Sequence, residues 1–190
     1  MRRGWKIERI AFDFDGVIAD TDTQKRKWLL KNNIKVDKAD KTSIYQELTK
    51  KMKYEKIDKL YKEMSNNIFL PDVLEKTKPL EDSINAIKKL SSKFDIYIVT
   101  SRTDELIKPV RAWLEKYDID TNIRKIISSS YQTKQDICLK NDIFFLCDDD
   151  LRHINDKKIN MRVLFNKNIQ IDDEEIIRVN SWKELEQILL

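Results

Sequence analysis

The chain has 190 residues, of which 41% are hydrophobic and 37% are charged, and its formal net charge is +4. This length and hydrophobic content suffice for one globular domain with a buried core and room for a small insertion. The sequence contains no apolar run of the roughly 18 residues that a membrane span requires. Its net charge is also too small to indicate nucleic acid as the main partner.

The first residues are basic but are not followed by the apolar segment of a signal peptide, so we expect a cytoplasmic protein. Cys138 and Cys147 lie within or beside apolar segments. We expect both to be buried free thiols in a reducing compartment, since no pair or cluster typical of a disulfide or zinc site is present.

Six short runs rich in apolar and β-branched residues predict buried strands. They span residues 10–14, 94–99, 123–127, 143–147, 162–165 and 176–179. Helical patterns occur at 80–90, at 134–140 and around Pro109, and Ser181 and Glu184 form a capping box that opens a final helix. This alternation predicts an α/β fold, a three-layer doubly wound parallel sheet with helices on both faces.

Residues 22–78 interrupt the alternation with a pattern that is helical only. We therefore predict a small all-helical cap at 22–78, inserted after the first strand, and a core formed by 1–21 and 79–190. The insert has 15 basic and 9 acidic residues, a net charge of +6. One apolar stripe runs along its longest predicted helix and is the one hint of a homodimer. It consists of Ile57, Leu60, Tyr61, Met64 and Ile68.

Polar residues follow four of the predicted strands, and the carboxyl ends of parallel strands meet at one edge of a sheet. They are Asp13 and Asp15, then Thr100, Ser101 and Arg102, then Lys134, and finally Asp148, Asp149 and Asp150. Clustered carboxylates repel one another, and a hard divalent cation removes that repulsion. The pattern predicts a Mg²⁺ site with a lysine and hydroxyl groups nearby, which are groups that hold a phosphoryl unit.

These segments resemble the motifs of the haloacid dehalogenase (HAD) superfamily. DFDGVIADT is similar to its first motif, IYIVTSR to its second, and FFLCDDD to its fourth, while Lys134 stands where the lysine of the third is expected. The stretch from TSR to the paired acids is most similar to the 5′(3′)-deoxyribonucleotidase-like branch. The resemblance implies a HAD-like fold with a cap and a phosphatase that uses Mg²⁺.

The resemblance also implies roles for individual residues. Asp13 is the nucleophile that forms an aspartyl-phosphate, and Asp15 is the general acid and base. Gly16 allows the sharp turn after the two acids. Thr100 binds phosphoryl oxygens, and Lys134 neutralises charge and restrains Asp13.

For the metal, the resemblance implies three ligands: Asp13, the backbone carbonyl of Asp15, and Asp148. Asp149 is expected to orient the ligands rather than bind the ion. Asp15 also indicates phosphoryl transfer to water as the reaction class, because the dehalogenase branches of the superfamily lack an acid at that position.

Several of these residues, and some others, also have a structural interpretation that involves no ligand. Ser101 is either a ligand or a helix cap, and Arg102 either binds substrate phosphate or pairs with an acid. Asp150 is expected to be a cap or solvated, and His153 to be structural or exposed. The aromatic residues of the predicted cap, Trp28, Tyr45, Tyr54 and Tyr61, are expected to serve packing, although they could stack on a base.

The sequence thus predicts a Mg²⁺-dependent phosphomonoesterase whose substrate is a small phosphorylated metabolite, with a nucleotide as the leading candidate. Two alternatives stay open at this point. One is a phosphatase of another metabolite, such as a sugar phosphate or phosphoglycolate, or of nucleic-acid ends. The other is a non-catalytic module that binds phosphate or a protein.

Overall fold

The computed structural model describes residues 7–165, 169, 171 and 173–190. Within them, six strands form one sheet in which all neighbours are parallel. The strands are β1 (Glu8–Phe12), β2 (Phe94–Thr100), β3 (Ile123–Ser128), β4 (Ile143–Asp148), β5 (Met161–Leu164) and β6 (Ile176–Arg178). The predicted α/β fold with a parallel sheet is confirmed.

The strand order is β3-β2-β1-β4-β5-β6, so the chain winds from β1 towards one edge and then crosses back to β4. The direction of winding therefore reverses beside β1. In open parallel sheets ligands bind beyond the carboxyl ends of the strands at such a reversal. The topology thus puts the residues that follow β1, β2 and β4 at the position where a site is expected.

Helices cover both faces of the sheet, as predicted. One face carries α5 (Ser83–Leu90), α6 (Ile107–Lys116) and α8 (Trp182–Leu189), which pack with Ile10 and Phe12 of β1 in one apolar cluster. On the other face, α7 (Lys134–Lys140) packs in a second cluster with Ala11. Successive side chains of β1 point to opposite faces, so this strand contributes to both cores.

The helices predicted from capping residues and apolar spacing agree with the structure, except that one helix begins later than predicted. The final helix begins after Ser181, whose Oγ accepts a hydrogen bond from Glu184 N at 3.2 Å. The helix expected at 80–90 begins only at Ser83. Asp82 immediately before it has a left-handed backbone with φ of 64°, which a continuous helix cannot include.

Between β1 and α5 the described chain contains helices and no named strand. The helices are α1 (Thr21–Lys31), α2 (Lys41–Thr49), α3 (Tyr54–Ile68) and α4 (Pro71–Lys76). Residues 22–78, the helical segment, have an apolar cluster of their own that includes Ile57, Met64 and Ile68 from the predicted stripe. The division into a cap and a core stays a prediction.

The two ends of the helical segment lie side by side. Asp20 N donates to Lys78 O at 2.8 Å, and Leu80 N donates to Ile18 O at 2.8 Å. An isolated bridge between Ala19 and Pro79 lies between them. The chain therefore leaves and re-enters the sheet region at one place, directly beside the end of β1.

Cys138 and Cys147 are buried and free, as predicted. Within the described residues, none of the helices has both the length and the apolar character that a membrane crossing requires.

We predict that Trp182 is a principal anchor of α8. Its ring packs 4.9 Å from that of Phe12, and its Nε1 donates to Val17 O at 2.7 Å. Trp182→Phe should lower the free energy of unfolding by about 1–3 kcal/mol, since a buried carbonyl loses its partner. Urea unfolding followed by circular dichroism measures the loss.

The matched control is Trp28→Phe, in the half-buried tryptophan of α1. It should cost less than about 1 kcal/mol because less surface is buried there. Similar losses for the two variants would contradict an anchoring role for Trp182.

Candidate active site

The structure brings the predicted acids and the predicted lysine into direct contact. Asp13 follows β1 immediately, Asp148 is the last residue of β4, and Lys134 is the first residue of α7. Lys134 Nζ lies 2.8 Å from Asp13 Oδ1 and 2.6 Å from Asp148 Oδ2. A side chain from the start of a helix therefore joins the ends of two adjacent strands.

All three of these side chains are buried, and their pKa values reflect it. Burial raises the pKa of Asp13 to about 7; the Lys134 ammonium opposes this shift, and the nearby Asp148 and Asp15 carboxylates add to it. Burial alone would lower the pKa of Lys134, but the same two partners, Asp13 and Asp148, outweigh it and raise that pKa. The Lys134 ammonium is thus shared by two buried carboxylates and does not fully neutralise their negative charge.

Asp149 adds a third carboxylate to the group. Ligand oxygens of Asp13, Asp148 and Asp149 all lie within 4.8 Å of one another. Burial raises the pKa of Asp149 well above its ordinary value; Lys25 opposes the shift, and Asp148 and Asp13 add to it. The Asp149 carboxylate therefore belongs to the same cluster as Asp13 and Asp148, and its expected role of orienting the metal ligands stays a prediction.

The cluster fits a hard divalent cation. Its donors are carboxylate oxygens, the type that Mg²⁺ prefers. Buried Asp13 Oδ1 has the Lys134 ammonium 2.8 Å away, yet it accepts no well-directed hydrogen bond from the described residues. A cation at this place would supply the positive charge that Lys134 alone does not.

Two features require glycine at position 16: the left-handed backbone conformation of this residue and the close approach of the Asp149 side chain. Gly16 has a φ of 82°, and its N–H donates to Ala19 O at 2.9 Å in the turn after the two acids. A Cβ at this position would lie 2.5 Å from Asp149 Oδ2. Glycine therefore allows both the turn and the position of the Asp149 carboxylate.

Asp15 is held by an arginine from the loop after β2. Arg102 Nε and Nη2 each donate to one Asp15 carboxylate oxygen at 2.9 Å, and the Arg102 side chain is fully buried. Of the two interpretations left open for Arg102, the structure shows the pairing with an acid.

Thr100 and Ser101 lie at the same edge of the sheet. Thr100 is buried at the end of β2, and its Oγ1 accepts a hydrogen bond from Arg102 N at 3.2 Å. Ser101 is exposed and lines the cavity described next. Asp150 caps a short turn by accepting from Arg152 N at 3.1 Å, in agreement with the expected cap.

A cavity of about 190 Å³ lies between the acidic cluster and the helical segment. Asp13, Asp15 and Asp148 form part of its wall, while Lys25, Tyr61 and Phe69 contribute from the helical segment. His153 also lines it, and burial lowers the pKa of this histidine.

Sequence reasoning missed Lys25 and Phe69. Lys25 is buried and pairs with Asp22 at 2.7 Å, one of many lysines that the sequence alone does not distinguish. Phe69 follows the last residue of α3, and its position over the site depends on how the helices pack.

A family model described as 5′ nucleotidase, deoxy (Pyrimidine), cytosolic type C protein matches residues 6–190. The chain belongs to this nucleotidase family. The comparison with curated proteins found no match.

Solved structures show the same fold at low sequence identity. A haloacid dehalogenase-like hydrolase from Streptococcus pneumoniae is 13% identical with a TM-score of 0.63, over 97% of this chain and 99% of that chain. A HAD-type protein from Bacillus subtilis, solved with bound magnesium, is 17% identical with a TM-score of 0.61, over 97% and 99% of the chains. A predicted phosphoglycolate phosphatase from Haemophilus somnus is 13% identical with a TM-score of 0.57, over 98% and 100%.

The resemblance to the HAD superfamily and its nucleotidase branch is therefore confirmed. This chain has the fold of HAD-superfamily hydrolases and is an enzyme of the phosphatase or nucleotidase type. The roles of individual residues, the metal and the substrate stay predictions.

We predict that Gly16→Ala lowers the free energy of unfolding by about 2–4 kcal/mol. The left-handed backbone contributes about 1–2 kcal/mol of this, and the contact of the new Cβ with Asp149 contributes the rest. In an Asp149→Ala background only the backbone part should remain. Chemical unfolding of the four proteins of this double-mutant cycle gives the coupling.

A coupling near zero would show that Gly16 is not needed for the position of Asp149.

Proposed function

We propose that this protein is a Mg²⁺-dependent phosphomonoesterase that hydrolyses a nucleotide through an aspartyl-phosphate on Asp13. The observation that carries the proposal is the buried group of Asp13, Lys134 and Asp148 at the wall of the cavity, with Asp149 in the same cluster. A solvated strand end would not bury two carboxylates around one ammonium.

Asp13 and Asp148 would hold the metal, with the backbone carbonyl of Asp15 as the expected third ligand and Asp149 beside them. Bound there, the ion would offset the repulsion between an anionic nucleophile and an anionic substrate. Lys134 would restrain Asp13 and neutralise part of the charge that develops on the phosphoryl oxygens.

The reaction would proceed in two displacements. An Asp13 carboxylate oxygen attacks phosphorus, the bond from phosphorus to the leaving oxygen breaks, and Asp15 gives that oxygen a proton. Asp15, now a carboxylate, then takes a proton from water as the water oxygen attacks phosphorus. The bond to Asp13 breaks, and the products are an alcohol and inorganic phosphate.

The hydrogen bonding of Thr100, which is buried at the end of β2 beside the cavity residue Ser101, supports a role in holding the phosphoryl group. Its Oγ1 accepts from Arg102 N, so its own hydroxyl proton is left to donate to a phosphoryl oxygen. Ser101, at the cavity wall, offers a second hydroxyl group.

A nucleotide is the proposed substrate because the matching family model is described as a nucleotidase. The Tyr61 ring at the cavity suits a planar base, and Lys25 and Lys41 add positive charge on that side. A cytoplasmic location is part of the same proposal, supported by the buried free thiols and the word cytosolic in the family description. A homodimer stays a prediction from the sequence.

We predict that Asp13→Asn abolishes phosphate release, because an amide cannot act as the nucleophile. The assay is inorganic phosphate release from a panel of nucleotides, sugar phosphates and phosphoglycolate with Mg²⁺. Asp118→Asn is the matched control. Asp118 is an exposed aspartate with a left-handed backbone that asparagine tolerates, and its variant should keep full activity.

Activity of Asp13→Asn equal to that of the wild type would reject Asp13 as the nucleophile. A panel in which nucleotides are not preferred would favour the phosphatase of another small metabolite. Phosphate binding without turnover of any substrate would favour the non-catalytic alternative.

We also predict that Mg²⁺ stabilises the fold through Asp148. At a concentration 100 times its Kd, the ion should add about 2.7 kcal/mol to the free energy of unfolding, because it binds the folded chain. Asp148→Asn should lose most of this gain, whereas Asp95→Asn, at the opposite end of the sheet, should keep it. Thermal melts in EDTA and in Mg²⁺ measure the gain in stability of each variant. An equal gain in the two variants would show that Asp148 is not a ligand of the metal.

A further inference from the structure

Arg102 is buried in an unusual setting. Its side chain has no exposed surface, and the guanidinium carbon lies 4.4 Å from the ring centroid of Phe69 and 5.5 Å from that of Phe14. A charge removed from water in this way is tolerated only when its hydrogen bonds are satisfied and its geometry is well defined.

The guanidinium satisfies that requirement with Asp15 and with the helical segment. Nε and Nη2 form a two-pronged pair with the Asp15 carboxylate, each bond being 2.9 Å long. Nη1 donates to the backbone carbonyl of Phe69 at 3.1 Å. Phe69 is the residue directly after α3.

The backbone of Arg102 is also fixed. Its N–H donates to Thr100 Oγ1 at 3.2 Å, and its carbonyl accepts from Ser128 Oγ at 2.7 Å. The guanidinium is therefore held from the sheet side by its own backbone and from the opposite side by the helical segment. The Asp15 carboxylate has little freedom to rotate while both contacts exist.

We propose that Arg102 is the positioning residue of Asp15 and that it makes proton transfer by Asp15 depend on the docking of the helical segment at Phe69. This inference rests on the proposed function, in which Asp15 moves the proton. Each Asp15 oxygen accepts one hydrogen bond from Arg102, which leaves a second lone-pair position on each oxygen, and the proton that Asp15 transfers would be held at one of these positions, on the side of the cavity. A loose helical segment would release one side of the guanidinium and let the carboxylate turn away.

Lysine cannot replace this arrangement. Its ammonium is a compact charge on a flexible stem and cannot present a planar fork to both carboxylate oxygens while it stacks on an aromatic ring. Arg102→Lys would keep the charge and remove the orientation, which makes it the informative variant.

The experiment uses two phosphate esters that differ in their need for a proton. An alkyl phosphate releases a strongly basic alkoxide unless the leaving oxygen is protonated, whereas p-nitrophenyl phosphate releases a stable phenolate without a proton. The quantity compared is kcat/KM, which covers the steps up to departure of the leaving group. The later use of Asp15 as a base therefore does not affect it.

We expect Arg102→Lys to lower kcat/KM about 100-fold for the alkyl ester, near the lower end of what general acid catalysis contributes. For the p-nitrophenyl ester the loss should be less than about 5-fold, since that step does not need the acid. Asp15→Asn sets the reference and should show the same selectivity. Guanidinium ion added to Arg102→Ala should restore part of the activity towards the alkyl ester.

Arg162→Lys is the matched control. Arg162 is also buried and pairs with two acids, Asp173 at 3.0 Å and Glu175 at 2.8 Å, but it lies on β5 outside the cavity. Its replacement should lower stability without changing the ratio between the two esters.

Phe69→Leu tests the docking and keeps the proposal testable if Arg102→Lys does not fold. It removes the ring over the guanidinium and leaves Arg102 and Asp15 intact. Its kcat/KM should fall more for the alkyl ester than for the p-nitrophenyl ester, whereas Phe144→Leu, away from the cavity, should leave the ratio unchanged.

The outcomes separate the two proposals. If Asp15→Asn is selective and Arg102→Lys lowers both esters equally, the positioning role of Arg102 is overturned and the proposed function stands. If Phe69→Leu has the same ratio of kcat/KM values for the two esters as the wild type, the dependence on docking is overturned. If Asp13→Asn retains full activity, the proposed function fails whatever the Arg102 variants show.

Discussion

The buried contact of Lys134 with Asp13 and Asp148 is the interaction on which the site depends. Two carboxylates this close repel each other, and burial adds to the cost of their charge. The ammonium makes the arrangement possible, but one positive charge against two negative ones leaves a deficit, and Asp149 increases it. This deficit is the physical reason for proposing a divalent cation, because the cluster has oxygen donors and lacks positive charge.

Around this centre the positive charge is distributed over different parts of the chain. Lys134 comes from α7, Arg102 from the loop after β2, and Lys25 from the helical segment, where it lies near Asp149. The helical segment therefore takes part in the electrostatics of the site as well as covering it. Through the contact of Phe69 with Arg102 it also reaches the proposed general acid. A segment that closes the cavity and orients the acid would allow proton transfer only when water is excluded.

Much of this could be predicted from the sequence. Apolar runs gave all six strands to within two residues at each end, and the acids at their ends marked the functional edge. The start of α5 was misplaced because a left-handed Asp82 follows from the local turn and not from apolar periodicity. The contact of Asp149 with the turn after β1 joins two segments that lie far apart along the chain, so no local pattern predicts it. Here Gly16 lets the Asp149 carboxylate approach the turn after β1.

By itself the sequence determined the class of the fold, the parallel sheet and the set of acids and lysine at its carboxyl edge. These follow from local patterns, since strand periodicity and residue type do not depend on distant contacts. Only the tertiary structure decided which charges pair. Arg102 could have bound substrate or an acid, and in the fold it pairs with Asp15 and donates to the carbonyl of Phe69, the residue after α3. Pairing is a property of distances between segments far apart along the chain, and no local pattern encodes those distances.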